Sequence, residues 1–101
     1  MLIIKDMVEE IHDELCGARK YAENALCLKE KDKSLAEMYI AMAKEELGHM
    51  GRLHDQIVRI TAEYRIKNGE PPKGMEEIYE WQHKKIMNEN AEIKALIESY
   101  K

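Results

Sequence analysis

Phenylalanine is absent, and the only two prolines stand together at Pro71-Pro72. Long stretches are therefore free of the residue that breaks helices. No apolar run approaches the roughly 20 residues that cross a bilayer, which excludes a membrane-spanning helix. Basic residues form no stripe. Both signs are interspersed and the net charge is −4, so the electrostatic footprint of a nucleic-acid binder is missing. The two cysteines are not a CxxC pair, which removes zinc-ribbon, rubredoxin and thioredoxin-like readings. Cys16 and Cys27 fall on one expected helix, about 16 Å apart at about 1.5 Å per residue, too far for a disulfide. Free thiols suit a reducing compartment, and both read as small buried packing residues. Met1 to Val8 is too short and too charged for a secretory signal, so a cytoplasmic location is expected.

What remains is the composition of long helices, with 36% charged and 45% hydrophobic residues over 101 positions, enough for one domain. Three helices are expected, over about residues 2–29, 35–67 and 75–100. Gly17 interrupts the first at roughly 1 kcal/mol against alanine, and its missing Cβ would admit a close neighbour. Glu30-Lys31-Asp32-Lys33 breaks the chain, and Ser34-Leu35-Ala36-Glu37 has the spacing of a capping box. Asn68-Gly69 followed by Pro71-Pro72 stops the second helix. The third has the weaker apolar stripe (Ile78, Trp81, Ile86, Ile93, Leu96, Ile97) and is expected to be less buried, docking on a partner subunit.

The chemistry lies in the stripes of the first two helices. Ile4, Met7, Ile11, Glu14, Ala18, Tyr21, Ala25 and Leu28 recur at steps of three and four. So do Tyr39, Met42, Glu46, His49, Leu53, Ile57, Ile60 and Tyr64. Each apolar seam is interrupted by ionisable groups: Glu14 in one, Glu46 and His49 in the other. Burying such groups costs several kcal/mol unless they are paired or bound to metal. Folding the two helices about a turn near residue 31 or 32 brings all three to one height, because Glu14 precedes the turn by about as many residues as Glu46 and His49 follow it. Gly48 and Gly51 flank His49 and suggest close packing there. One Glu plus one ExxH is half of a di-metal carboxylate site, and a two-fold dimer would complete it within a four-helix bundle. Carboxylate and imidazole donors with open positions suit iron or manganese.

The same residues resemble a known family. Glu14-Leu15-Cys16-Gly17-Ala18-Arg19-Lys20-Tyr21, with Glu seven residues before Tyr, is similar to the first-helix motif of rubrerythrins and related ferritin-like proteins. Glu46-Leu47-Gly48-His49, continuing through Met50-Gly51-Arg52 to Leu53, resembles their second-helix motif. The resemblance spans residues 7–64. Unlike rubrerythrins, the chain has one helix pair and no cysteine-rich domain to receive electrons. A short hairpin with a third helix looks more like the encapsulated ferritins, which assemble a ferroxidase site across a subunit interface.

That resemblance implies an all-α fold: a long antiparallel hairpin plus a C-terminal third helix, residues 1–101 forming a single ferritin-like domain that dimerises into a four-helix bundle. It also implies a di-iron centre, with Glu14, Glu46 and His49 as metal ligands and manganese as the other candidate ion. The implied activity is oxidation of Fe(II) by oxygen or peroxide, for iron storage or detoxification. The implied partners are a second copy, or a higher homo-oligomer, and an encapsulin-type shell. The docking peptide usual for that shell is not visible in Ile97-Glu98-Ser99-Tyr100-Lys101.

A different class of reading is a metal-free helical oligomer that serves as a scaffold or partner-binding module. It accounts for the amphipathic helices but not for three ionisable groups at one height. Glu80-Trp81-Gln82-His83 repeats the ExxH spacing; its functional reading is an auxiliary metal or iron-entry site, but the stripe is polar and a solvated face is the favoured reading. His12 and His54 lie off the seam and read as surface groups, with His54 also within reach of a contact behind the ligands. Tyr21 and Tyr39 read as packing residues, and no pocket for an organic substrate is evident.

Overall fold

The computed structural model describes residues 2–101. Three helices follow one another: α1 (Leu2–Leu28), α2 (Lys33–Asn68) and α3 (Lys73–Ser99). No strand occurs among the described residues, so the chain is all-helical. Among the described residues, no helix is long and apolar enough to cross a membrane. The molecule is a rod of 55 × 18 × 18 Å, its length set by the 36-residue α2.

The turn between α1 and α2 is tight. The amides of Lys31 and Asp32 both donate to the Leu28 carbonyl, at 2.9 and 2.8 Å. Asp32 then caps α2, its backbone extended and its carboxylate accepting from the Leu35 amide at 3.1 Å. The cap is therefore Asp32 and not Ser34. The helix starts at Lys33, so Ser34 already lies inside the first turn, past the position where a hydroxyl reaches the free amides. At the far end Gly69 takes φ 77°, and its amide donates to the Arg65 carbonyl. The Asn68-Gly69 stop acts through this left-handed backbone, which glycine adopts without a Cβ clash.

The α1–α2 seam is built largely from alanine. Ala18, Ala22 and Ala25 face Ala36 and Ala43, all fully buried, with Ile11, Leu15, Ile40 and Met50 filling the space between. Small residues let the helices approach closely, yet they bury little apolar area. Among the described residues, Ile11, Leu15 and Ile93 are the large side chains that are fully buried. Each contributes about 1.5–3 kcal/mol, a modest core for a rod of this length.

The alanine seam also turns each helix relative to the expected stripe. On α1 the buried row runs Ile4, Ile11, Leu15, Ala18, Ala22, Ala25. Met7, Glu14, Tyr21 and Leu28 form a half-exposed shoulder beside it. On α2 the buried row is Ala36, Ile40, Ala43, Met50, and Tyr39, Met42 and Glu46 form the shoulder. The ionisable groups thus edge the seam and do not interrupt it. Cys16 and Cys27 are both exposed, contrary to the buried packing role expected of them. They sit on the outer face of α1, roughly 120° or more from the buried row.

Helix α3 closes one flank of this hairpin. Its C-terminal half buries Ile93 and Ile97, and Arg19 pairs with Glu92 at 2.7 Å. Lys29 donates to the Lys101 carbonyl at 2.9 Å and lies over the Tyr100 ring. Asn90 stands within the inward row, its buried side-chain oxygen without a hydrogen-bond partner. The N-terminal half is looser, with Ile78 57% and Trp81 63% exposed.

Candidate functional site

Glu14 projects from the middle of α1, and Glu46 and His49 project from the middle of α2. The tight turn at residues 29–32 sets the antiparallel register that brings them level. Each offers one donor atom, and these atoms all lie within 4.8 Å of one another. His49 Nδ1 is 3.3 Å from Glu14 Oε2 and 3.9 Å from Glu46 Oε1. Donors that share one ion, with bonds of about 2.0–2.2 Å, stand roughly 3–4 Å apart. The residues present therefore fit a metal, using two carboxylates and one imidazole.

The site is half-open. The side chains of Glu14 and Glu46 are 27% and 26% exposed, and that of His49 is 51% exposed. Position on the helix explains this. At about 100° per residue, Glu14 lies about 140–200° round α1 from His12 and Arg19, which face α3. The third helix thus covers the opposite flank. On the open flank Tyr21 stacks on Tyr39 with ring centroids 5.9 Å apart, two turns along α1 from Glu14. Both tyrosines pack against the core, as their place in the stripes suggested.

The electrostatics are those of a crowded carboxylate pair. The Glu46 carboxyl is held above its usual range. The main cause is a hydrogen bond with Glu14, which the protonated form of Glu46 can donate. Partial burial and the Glu14 charge add to it, while His49 pulls the other way. Two carboxylates at this spacing hold a proton or a cation more readily than two bare charges.

Gly17 has a defined part in this geometry. A Cβ built on it would stand 3.3 Å from Glu46 Oε2 and 3.8 Å from Glu46 Cδ. The close neighbour admitted by the missing side chain is thus the Glu46 carboxylate itself. Gly48 and Gly51 have no such neighbour: a Cβ on either meets nothing within 4 Å. The expectation that they mark close packing around His49 is not met, because a side chain at either position would meet open space.

Two features escaped the sequence reading. His54 Nε2 meets His83 Nδ1 at 3.4 Å, joining α2 to α3. His83 was expected on a solvated face and His54 on the surface or behind the ligands; neither expectation anticipated their pairing. A groove of about 460 Å³ also opens between the ends of α1 and α2 and the first half of α3, walled by Ile4, Val8, Ile57, Val58, Met75 and Ile86. No pocket was evident from the sequence, because the groove depends on how α3 returns along the hairpin. His12 is exposed, 4.0 Å from Glu89, as its off-seam position suggested.

No protein-family model matches the chain, and no curated protein or solved structure matches it. The functional reading therefore rests on the residues and their geometry.

Proposed function

We propose that the chain is a di-iron carboxylate protein whose site is completed by a second copy across a two-fold axis, and that it oxidises Fe(II) with oxygen or peroxide for iron storage or detoxification. The observation that carries this reading is the meeting of Glu14, Glu46 and His49 donors within 4.8 Å on an uncovered flank. One Glu and one ExxH from each of two hairpins make up the full donor set of the di-iron bundles. The open flank also carries half-buried Met7, Tyr21, Tyr39 and Met42, apolar surface for a partner hairpin to cover. The ferritin-like fold and the four-helix bundle belong to this same reading.

The residues divide the work. Glu14 and Glu46 supply negative charge, which favours the more highly charged Fe(III) product over Fe(II). His49 offers Nδ1 from the α2 side. Glu46 coordinates as its carboxylate, and its raised pKa means that protons compete with a cation for it as the pH falls. Iron, when bound, supplies the one-electron redox chemistry, and the protein supplies ligand geometry and access. Manganese suits the same donors and is the second candidate ion.

Glu46→Ala tests the assignment. It should abolish iron retention at the Glu14–Glu46–His49 cluster and Fe(II) oxidation while leaving the helical circular dichroism signal largely intact. Unchanged iron oxidation in that variant would show the site assignment to be wrong.

A second reading, a metal-free helical scaffold or partner-binding module, is favoured by the exposed apolar residues on the other part of the rod. Ile66 is 85% exposed, and Trp81, Ile78 and Val58 are more than half exposed. In that case Glu14→Gln and His49→Leu would be neutral or stabilising, and Fe(II) would not raise the melting temperature.

A further inference from the structure

His54 and His83 come from different helices, one on α2 and one near the middle of α3. Their facing nitrogens, Nε2 and Nδ1, are 3.4 Å apart, and the ring centroids are 5.2 Å apart with a tilt of 31°. Without an ion the two imidazoles share a long hydrogen bond, whose donor depends on the tautomer. A shared ion fits the same spacing. Two bonds of about 2.0–2.1 Å at a tetrahedral angle put the nitrogens about 3.3–3.4 Å apart. The observed separation matches the bite of a cation.

The position of the pair adds a second argument. Both imidazoles line the apolar groove, so further coordination positions open onto an accessible cavity. The first half of α3 has little else to hold it. Its earliest buried residue is Ile93, while Met75, Ile78 and Trp81 are 42–63% exposed. Among the described residues, the polar side-chain contacts between α2 and α3 are this pair and Arg65–Glu76 at 3.9 Å.

We infer that His54 and His83 form a second cation site, separate from the carboxylate cluster, which binds a divalent first-row transition ion and clips α3 to the hairpin. Imidazole donors suit zinc, nickel and copper. Two nitrogens with open positions make an exchangeable site in place of a closed structural one. The site does not depend on the carboxylate reading, because it shares no residue with it.

The test uses the tag-free 101-residue chain with the first site removed by Glu46→Ala and His49→Leu. Zinc or nickel alone is titrated calorimetrically, and the melting temperature is followed in parallel. About one ion per chain should bind, and the melting temperature should rise with ion concentration. Adding His54→Gln or His83→Gln should abolish both effects, while His12→Gln should leave them unchanged. Cobalt should give the visible absorption of a nitrogen-ligated ion in the parent and not in either variant. Failure of the parent to bind zinc or nickel overturns the inference, as does binding that survives His83→Gln. A variant that has lost α3 docking without metal would show a lower melting temperature in chelator. Testing both histidines separately and comparing chelated samples keeps lost binding distinct from lost folding.

Discussion

The two flanks of the α1–α2 hairpin are built differently. One is closed by α3 and follows ordinary packing rules: Ile93 and Ile97 point inward, and Arg19–Glu92 and His12–Glu89 lie at the rim. The other flank has no third helix, and it is where Glu14, Glu46 and His49 converge beside the Tyr21–Tyr39 stack. A single chain thus completes its core on one side and leaves its most chemically capable residues half-exposed on the other. In a chain whose central seam is mostly alanine, the flanks decide both stability and function. The covered flank serves stability, and the proposal assigns chemistry to the open one.

That contrast can be broken from either side. The largest effect on stability is expected on the closed flank. Ile93→Ala empties a fully buried position and should cost about 2–5 kcal/mol in urea or thermal melts. Iron bound per folded chain should stay unchanged, because Ile93 belongs to the other side of the rod. Loss of iron from still-folded Ile93→Ala would mean that the two flanks are not independent.

Gly17→Ala separates stability from the site. Alanine gains roughly 0.5–1 kcal/mol of helix preference, so the melting temperature should hold or rise. The new methyl would press on the Glu46 carboxylate, now 3.3 Å from the Cβ position, and metal affinity should fall. Equal affinity in Gly17→Ala and the parent would show that the Glu46 position near Gly17 is not the metal-binding one.

The smallest effect concerns protons. Because the folded state raises the Glu46 pKa, its contribution to stability is fully present below the unfolded value near 4.5 and is lost as pH rises through the folded value. The metal-free protein should therefore melt higher as Glu46→Gln than as the parent at neutral pH. The gap should close as the pH falls below 4.5. Metal retention should run the other way, weakening in the parent as acid returns the proton to Glu46. A Glu46→Gln variant that is less stable than the metal-free parent at neutral pH would contradict the crowded-carboxylate description.

How much of this was readable from the residues depends on what each feature needs. The helices needed only periodicity and turn chemistry, and their ends fall within two residues of expectation. The convergence of Glu14, Glu46 and His49 needed only the turn position and a fixed rise per residue. Which side of each stripe is buried was harder. Ala22, Ala36 and Ala43 form the seam, and alanine carries too weak a hydrophobic signal to outvote Tyr21, Tyr39 or Met42. The Asp32 cap was missed because Ser34 offers the more familiar spacing with Glu37. The His54–His83 pair lay beyond reach, since the register of α3 depends on the Lys67–Gly74 connection and on contacts distant in sequence.

The most direct test of the central claim is metal stoichiometry. The purified chain would be loaded anaerobically with Fe(II), desalted and sized, and the iron in each oligomer measured by elemental analysis. The account predicts a dimer, or a multiple of it, holding about two irons per pair of chains. An oligomer that retains no iron, with a melting temperature unchanged by Fe(II), would contradict it and leave Glu14, Glu46 and His49 as a structural polar cluster.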